Sequence, residues 1–318
     1  MNSYPARRYY ERVAEASGYP LAALERVFRL SALLADIAAH AGDELLFCGG
    51  TALNLLHLDA PRLSVDLDLD YVGSADAGEA QARRKGLIAE LGRLADSSGY
   101  RVDLARQSYA LAHLTLRYEN TVGRSDALKI DLNFLDRVPV LGPVRMALRH
   151  PFGDDLSAAP VLTFALAELA ASKIVALARR GLARDLFDVA ELAQIPDLDR
   201  DVVRTVLAVR GAGYAPPSPE HYSPTAGDRV RTADWRAQVV ALARRDQPVD
   251  LTSAKQQTRQ LLRDVLHLQP NQVRFLRNLE AGNLDATGLG DAELVARAHA
   301  NPSLLWRIQR GIEGLEER

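Results

Sequence analysis

Apolar residues recur at helical spacing over residues 20–41 and lead into Leu45-Leu46-Phe47-Cys48, a short buried strand closed by Gly49-Gly50. Residues 51–58 read as helix. After Pro61 the period changes from 3.6 to 2: Arg62, Ser64, Asp66, Asp68 and Asp70 fall on one side, and Leu63, Val65, Leu67, Leu69 and Tyr71 on the other. The pattern is helical over 78–98. Strands are predicted over 101–106, 110–118 and 127–135, with turn signals at Gln107-Ser108 and over 120–125. From Val161 onward the periodicity is almost wholly helical, over about 161–180, 182–194, 198–210, 230–246, 252–267, 270–281, 291–299 and 302–313. The order predicts an α+β chain: a mixed sheet with flanking helices in residues 1–150, then a mainly helical domain in 151–318, with a Gly-, Pro- and Ser-rich linker at about 211–228.

Composition narrows this picture only slightly. With 318 residues and a net charge of −2, the chain is long enough for two domains and carries no global charge that would favour nucleic acid. A local surplus exists in residues 137–150, which hold Arg137, Arg145 and Arg149 and no acid. The one cysteine, Cys48, excludes an internal disulfide framework and reads as a packing residue. Residues 1–13 are polar and basic, without the apolar core of a secretory signal. The longest apolar stretch, 161–178, is interrupted by Glu168 and Lys173 and reads as a buried helix, not a membrane span. A cytoplasmic protein with no membrane partner is expected.

The chemistry concentrates around the acidic strand. Carboxylates two residues apart on a strand lie roughly 6.5 Å apart at Cα, so Asp66 and Asp68 can converge on a hard cation such as Mg²⁺ or Mn²⁺, completed by substrate phosphates. Asp70 lies too far along to share both ions of such a site. Gly49 and Gly50 at a strand-to-helix turn allow a phosphate to approach the backbone, and Thr51 can either bond a phosphate oxygen or cap the helix. In the run Lys129-Ile130-Asp131-Leu132-Asn133, Lys129, Asp131 and Asn133 share a face. Asp131 is then a third carboxylate, able to ligate the ion or accept a substrate proton. Lys173 stands in an apolar helix, either snorkelling or aimed into a cleft, and the Arg184 to Asp188 spacing by itself is that of a helix-surface pair. His57 and His113 lack metal-ligand spacing and read as structural or surface residues; Trp235 and Trp306 read as core.

With these residues in order, the chain resembles the AbiEii/AbiGii-type, MenT-like nucleotidyltransferase toxins of the DNA polymerase β-like superfamily. The resemblance spans about residues 40–195 and rests on Gly49-Gly50-Thr51-Ala52-Leu53, Arg62-x-Ser64-x-Asp66-x-Asp68, Lys129-x-Asp131, Lys173 and Arg184-Asp185-Leu186-Phe187-Asp188. It implies a polymerase β-like nucleotidyltransferase fold followed by an α-helical C-terminal domain. It also implies metal at Asp66 and Asp68, Lys173 on the nucleotide phosphates, and Asp188 needed for activity, with Asp131 as a further catalytic carboxylate. Gly49, Gly50, Thr51, Arg62, Ser64 and Arg184 would line the nucleotide. The biology implied is that of a toxin in an abortive-infection, phage-defence toxin–antitoxin pair, which moves NMP from NTP to the 3′ end of tRNA and is opposed by a winged-helix antitoxin. Two alternatives keep the sequence features but change the role: the same transfer to a small-molecule hydroxyl or a protein side chain, and a non-catalytic nucleotide-binding module.

Overall fold

The computed structural model describes residues 4–156, 160–214 and 218–316, so residues 1–3 of the polar N-terminus and 215–217 of the expected linker lie outside the described residues. The chain divides into two compact units, each assembled from three segments. A sheet unit comprises Met1–Leu135, Val144–Thr163 and Arg236–Val249; a helical unit comprises Asp136–Pro143, Phe164–Trp235 and Asp250–Arg318.

The sheet unit begins with helices α1 (Arg7–Ser17) and α2 (Leu21–Ala41). Strand β1 (Leu45–Cys48) runs directly into a short helix, α3 (Gly49–Ala52), which widens into a π turn at Leu53–His57. Then come β2 (Asp66–Tyr71), helix α4 (Ala77–Ser97), and strands β3 (Arg101–Gln107), β4 (Leu111–Glu119) and β5 (Ser125–Asn133). With β6 (Pro143–Ala147) and β7 (Pro160–Phe164) they form a seven-stranded sheet in the order β3-β4-β5-β2-β1-β7-β6. It is mixed, as expected: β2 runs antiparallel to β1 and parallel to β5.

Strand alternation divides the sheet into two chemically different faces. Leu67, Leu69, Ala112, Leu114, Leu116, Leu128, Ile130 and Leu132 all turn to one side and are at most 2% exposed. Helix α4, capped by Asp76 accepting the Glu79 N–H at 2.9 Å, packs on β3 and buries Leu87, Leu91 and Ala95. Burying each large aliphatic side chain contributes about 1.5–3 kcal/mol, which fixes the register: a one-residue slip would expose the whole set. The opposite face therefore receives Asp66, Asp68, Lys129, Asp131 and His113.

Four departures from the periodicity have physical reasons. The polar N-terminal stretch forms α1, because Tyr10 is completely buried against Phe28 with ring centroids 5.8 Å apart. Residues 160–164 are strand β7 and not the start of a helix, which begins at Leu166; a short apolar run looks alike in either state, and here Thr163 Oγ1 donates to the Phe47 carbonyl at 2.7 Å across a parallel pairing with β1. Strand β6 is mostly exposed and has no alternation to betray it. The helix expected over 230–246 stops at Gln238; a 3₁₀ turn at Val240–Leu242 follows, and Ala243 then bridges Arg62 while the Leu242 carbonyl accepts the Leu63 N–H at 2.8 Å. That pairing engages Arg62 and Leu63 outside the seven-stranded sheet, and β2 starts at Asp66.

The helical unit contains α5 (Leu166–Arg180), α6 (Ala183–Ala193) and α7 (Arg200–Gly213), followed by α8 (Thr232–Gln238), which spans the segment boundary. Helices α9 (Leu251–Val265), α10 (Pro270–Glu280), α11 (Ala292–His299) and α12 (Pro302–Glu316) complete it. Helix α5 packs on α6 and α7, and α9 packs on α6. Glu168, completely buried, accepts the backbone N–H groups of Val140 and Leu141 at 2.9 Å each and Arg210 Nη1 at 3.0 Å. Asp136 accepts from Ser303 Oγ at 2.9 Å and from the Tyr214 hydroxyl. Burial pushes the Glu168 carboxyl above its usual range, against the opposing pull of Arg210. The charge that interrupts the apolar stretch thus ties residues 140–141, α5 and α7 together, and Asp136, beside Arg210, extends the tie to α12 through Ser303. Trp235 is buried beside Phe187, whereas Trp306, expected in the core, is 46% exposed with Arg310 over its ring. Among the described residues, no helix is long and apolar enough to cross a membrane.

Candidate active site

The register of three strands builds the site. In the parallel β2–β5 ladder, Asp66 pairs with Lys129, Asp68 with Asp131 and Asp70 with Asn133. Neighbouring strands lie about 4.8 Å apart, so Asp68 and Asp131 stand side by side on one face, with Asp66 one step along. On the other flank of Asp68 the antiparallel β1 places Cys48, whose thiol donates to the Asp68 carbonyl at 3.5 Å. Asp66 and Asp68 are partly exposed, and Lys129 is exposed beside Asp66. Asp70 is sealed: it is 5% exposed and accepts Asn133 Nδ2 at 3.1 Å.

The turn that follows β1 is pressed against this face. Gly49 has φ +76°, and a Cβ at that position would come within 1.9 Å of Asp68 Oδ2, so the position demands glycine for both conformation and space. Thr51 is completely buried; its hydroxyl donates to the Asp66 carbonyl at 2.6 Å and shares a 2.8 Å hydrogen bond with Ser64 Oγ. It ties the start of β2 to the glycine turn. Asn54 donates to the Gly50 carbonyl at 2.8 Å, holding the turn from its far side. Arg62 is 2% exposed and donates to the Leu63 carbonyl at 3.3 Å, a buried position for a residue expected to line a nucleotide.

One residue was missed. His113 of β4 pairs in register with Asp131, and its Nδ1 lies 2.7 Å from Asp131 Oδ1. The two side chains are 36% and 48% exposed, so the pair is reachable from solvent. Metal-ligand spacing along the chain gives no sign of this pair and leaves His113 with a structural or surface role. The signal lay across the hairpin instead: paired residue numbers in the β4–β5 ladder sum to 244, from Glu119 with Ser125 beside the turn to His113 with Asp131.

The helical unit holds the remaining predicted residues. Lys173 Nζ lies 2.8 Å from Asp188 Oδ2, with side chains 8% and 0% exposed. Asp188 is therefore a buried partner of Lys173, where sequence spacing had offered a surface pair with Arg184. The preceding aspartate, Asp185, is also completely buried and takes a two-pronged contact from Arg180 at 2.7 Å for each bond. Burial, reinforced by the charge of Asp188, raises the Glu191 carboxyl above its usual range. The basic stretch 137–150 disperses: Arg137 is buried, Arg145 pairs with Asp43, and Arg149 is exposed beside Arg244 and His150 around a cavity of 400 Å³.

Asp66 and Asp68 present carboxylate oxygens on one face, the donor type that hard divalent cations take. Among the described residues, no three His, Cys, Asp or Glu side chains converge tightly enough to hold a metal ion alone.

Comparison with known proteins bears on the family and the fold. The family described as "Nucleotidyl transferase AbiEii toxin, Type IV TA system" matches residues 32–268. Among solved structures, the chain is similar to MenT4, a nucleotidyltransferase toxin of Mycobacterium tuberculosis H37Rv, at 18% identity and a TM-score of 0.61, covering 95% of this chain and 99% of that one. It is also similar to a putative nucleotidyltransferase from H. pylori at 18% identity and a TM-score of 0.50, covering 77% and 95%. No curated protein sequence matches.

Proposed function

This chain belongs to the AbiEii nucleotidyltransferase toxin family of type IV toxin–antitoxin systems, and from that premise we propose that it transfers NMP from an NTP to an acceptor hydroxyl, releasing pyrophosphate. The observation that carries the proposal is the in-register placement of Asp68 beside Asp131, with Asp66 on the same face and Gly49 packed against Asp68. Asp66 and Asp68 would hold Mg²⁺ or Mn²⁺. Such an ion, when bound, lowers the pKa of the attacking hydroxyl and neutralises charge on the triphosphate. Asp131 takes the proton of that hydroxyl as its oxygen bonds to the α-phosphorus and the pyrophosphate bond breaks. Gly49 lets Asp68 stand against the turn, the Gly49-Gly50 backbone would offer N–H groups to phosphate oxygens, and Thr51 holds Asp66 in position. The resemblance supports a role for Lys173 on the phosphates, with Asp188 as the fixed counter-charge of the lysine and Ser64 and Arg184 as nucleotide-lining residues.

The acceptor we propose is the 3′ end of tRNA, with a winged-helix antitoxin as cognate partner, a cytoplasmic setting and a role in phage defence. The acceptor, the antitoxin and the phage-defence role rest on the family resemblance, and the cytoplasmic setting on the composition. The test is incubation of the purified protein with each of four α-³²P-labelled NTPs, Mg²⁺ and total tRNA, beside Asp66→Ala, resolved on a denaturing gel. Label on tRNA from one NTP, absent in the variant, supports the full reading. Label on a small compound or a protein moves the acceptor, and no label anywhere overturns the transferase reading.

A further inference from the structure

We propose that His113 is a positioning residue for Asp131, an inference that rests on the proton-accepting role of Asp131 given above. As the proton acceptor of the proposed reaction Asp131 has no hydrogen of its own to offer, so the role requires that in the 2.7 Å contact His113 Nδ1 donates and Asp131 Oδ1 accepts. Nearly half of the Asp131 side chain is exposed, and a carboxylate on a strand can turn about two side-chain bonds. Repulsion from Asp68, its register partner, would swing it outward. The imidazole opposes that swing by occupying Oδ1 and leaving Oδ2 for the substrate proton. The neighbour is rigidly supplied, because His113 sits in an uninterrupted antiparallel ladder of nine pairs running from Leu111–Asn133 to Glu119–Ser125. On its other side β4 is anchored through the Leu111 carbonyl, which accepts Arg84 Nη2 at 2.8 Å.

A histidine beside a reactive carboxylate acts as the outer partner of a metal-ligand or catalytic group does: it sets orientation without touching the reacting atoms. Removing such a partner typically costs about 10–100-fold in activity. Three variants of the full chain test this. His113→Leu should lower kcat by that factor with KM for the NTP unchanged, since the carboxylate is mispositioned only for the chemical step. His113→Asn should restore most of the rate, because its amide nitrogen can donate from near the Nδ1 position. In an Asp131→Ala background, His113→Leu should add no further loss.

The second readout does not depend on transfer. Nitrogen-15 NMR of labelled imidazoles should show His113 with its proton on Nδ1, reverting in Asp131→Ala to the Nε2–H form that free histidine favours. A wild-type kcat in His113→Leu, a His113→Asn as slow as His113→Leu, or an additive loss in the double variant would overturn the proposal. So would an Nε2–H tautomer in the unmodified protein. If the protein transfers no nucleotide at all, the functional reading falls, while the tautomer still decides whether the imidazole holds Asp131.

Discussion

The two units treat their carboxylates in opposite ways. In the sheet unit, Asp66, Asp68 and Asp131 are gathered on one face and left partly in solvent, with like charges in direct register. In the helical unit, Glu168, Asp185 and Asp188 are each completely buried, and each is closed by a cation: Arg210, Arg180 and Lys173. Like charges held side by side within a fold work against stability, and such an arrangement persists where an incoming ligand supplies positive charge. A sealed pair has the reverse economy. It contributes little net stability relative to apolar side chains, but losing one member strands a charge away from water.

That contrast is most sharply tested by splitting activity from stability. Asp68→Asn should reduce transfer by several factors of ten, each worth about 1.4 kcal/mol of barrier, while the melting temperature holds or rises because a repulsion has been relieved. Labelled-NTP transfer beside a thermal melt reads both quantities, and a large drop in melting temperature would show the open face to be architectural. Asp188→Ala should do the opposite, costing about 3–5 kcal/mol in urea unfolding by stranding Lys173 in the interior. The paired change Lys173→Met with Asp188→Leu should recover most of that stability. The folded double variant should still fail to transfer, because Lys173 is proposed on the phosphates; full transfer would make the sealed pair purely architectural. The smallest effect is expected at the turn: Gly49→Ala should cost about 1–2 kcal/mol for a left-handed backbone. It should also slow transfer, since the added methyl displaces Asp68; a folded variant with full activity would separate the turn from the site.

Sequence reading recovered the open face better than the sealed one, for a physical reason. The alternation that places Asp66, Asp68 and Asp131 is local to each strand, and the same alternation buries Leu67, Leu69 and Ile130. The side of the sheet was therefore legible. What brought His113 to Asp131 was hairpin pairing, a relation between positions 18 apart that no single-strand pattern contains. The Lys173–Asp188 pair joins α5 to α6, and the nearer Arg184 offered a cheaper explanation by spacing alone. Strand β7 was lost because an isolated Val-Leu-Thr-Phe run acquires its identity only from the neighbouring β1. The exposed Trp306 shows the converse error, an aromatic at helical spacing with solvent on its side of α12.

The interleaving of the two units also sets a schedule for synthesis. The sheet unit needs Arg236–Val249, whose Ala243 bridges Arg62 and whose Leu242 carbonyl receives the Leu63 N–H just ahead of Asp66. A ribosome must therefore have translated well beyond the last strand of the sheet before that strap can close. The acidic strand emerges early, and its complete setting is among the later things a nascent chain acquires.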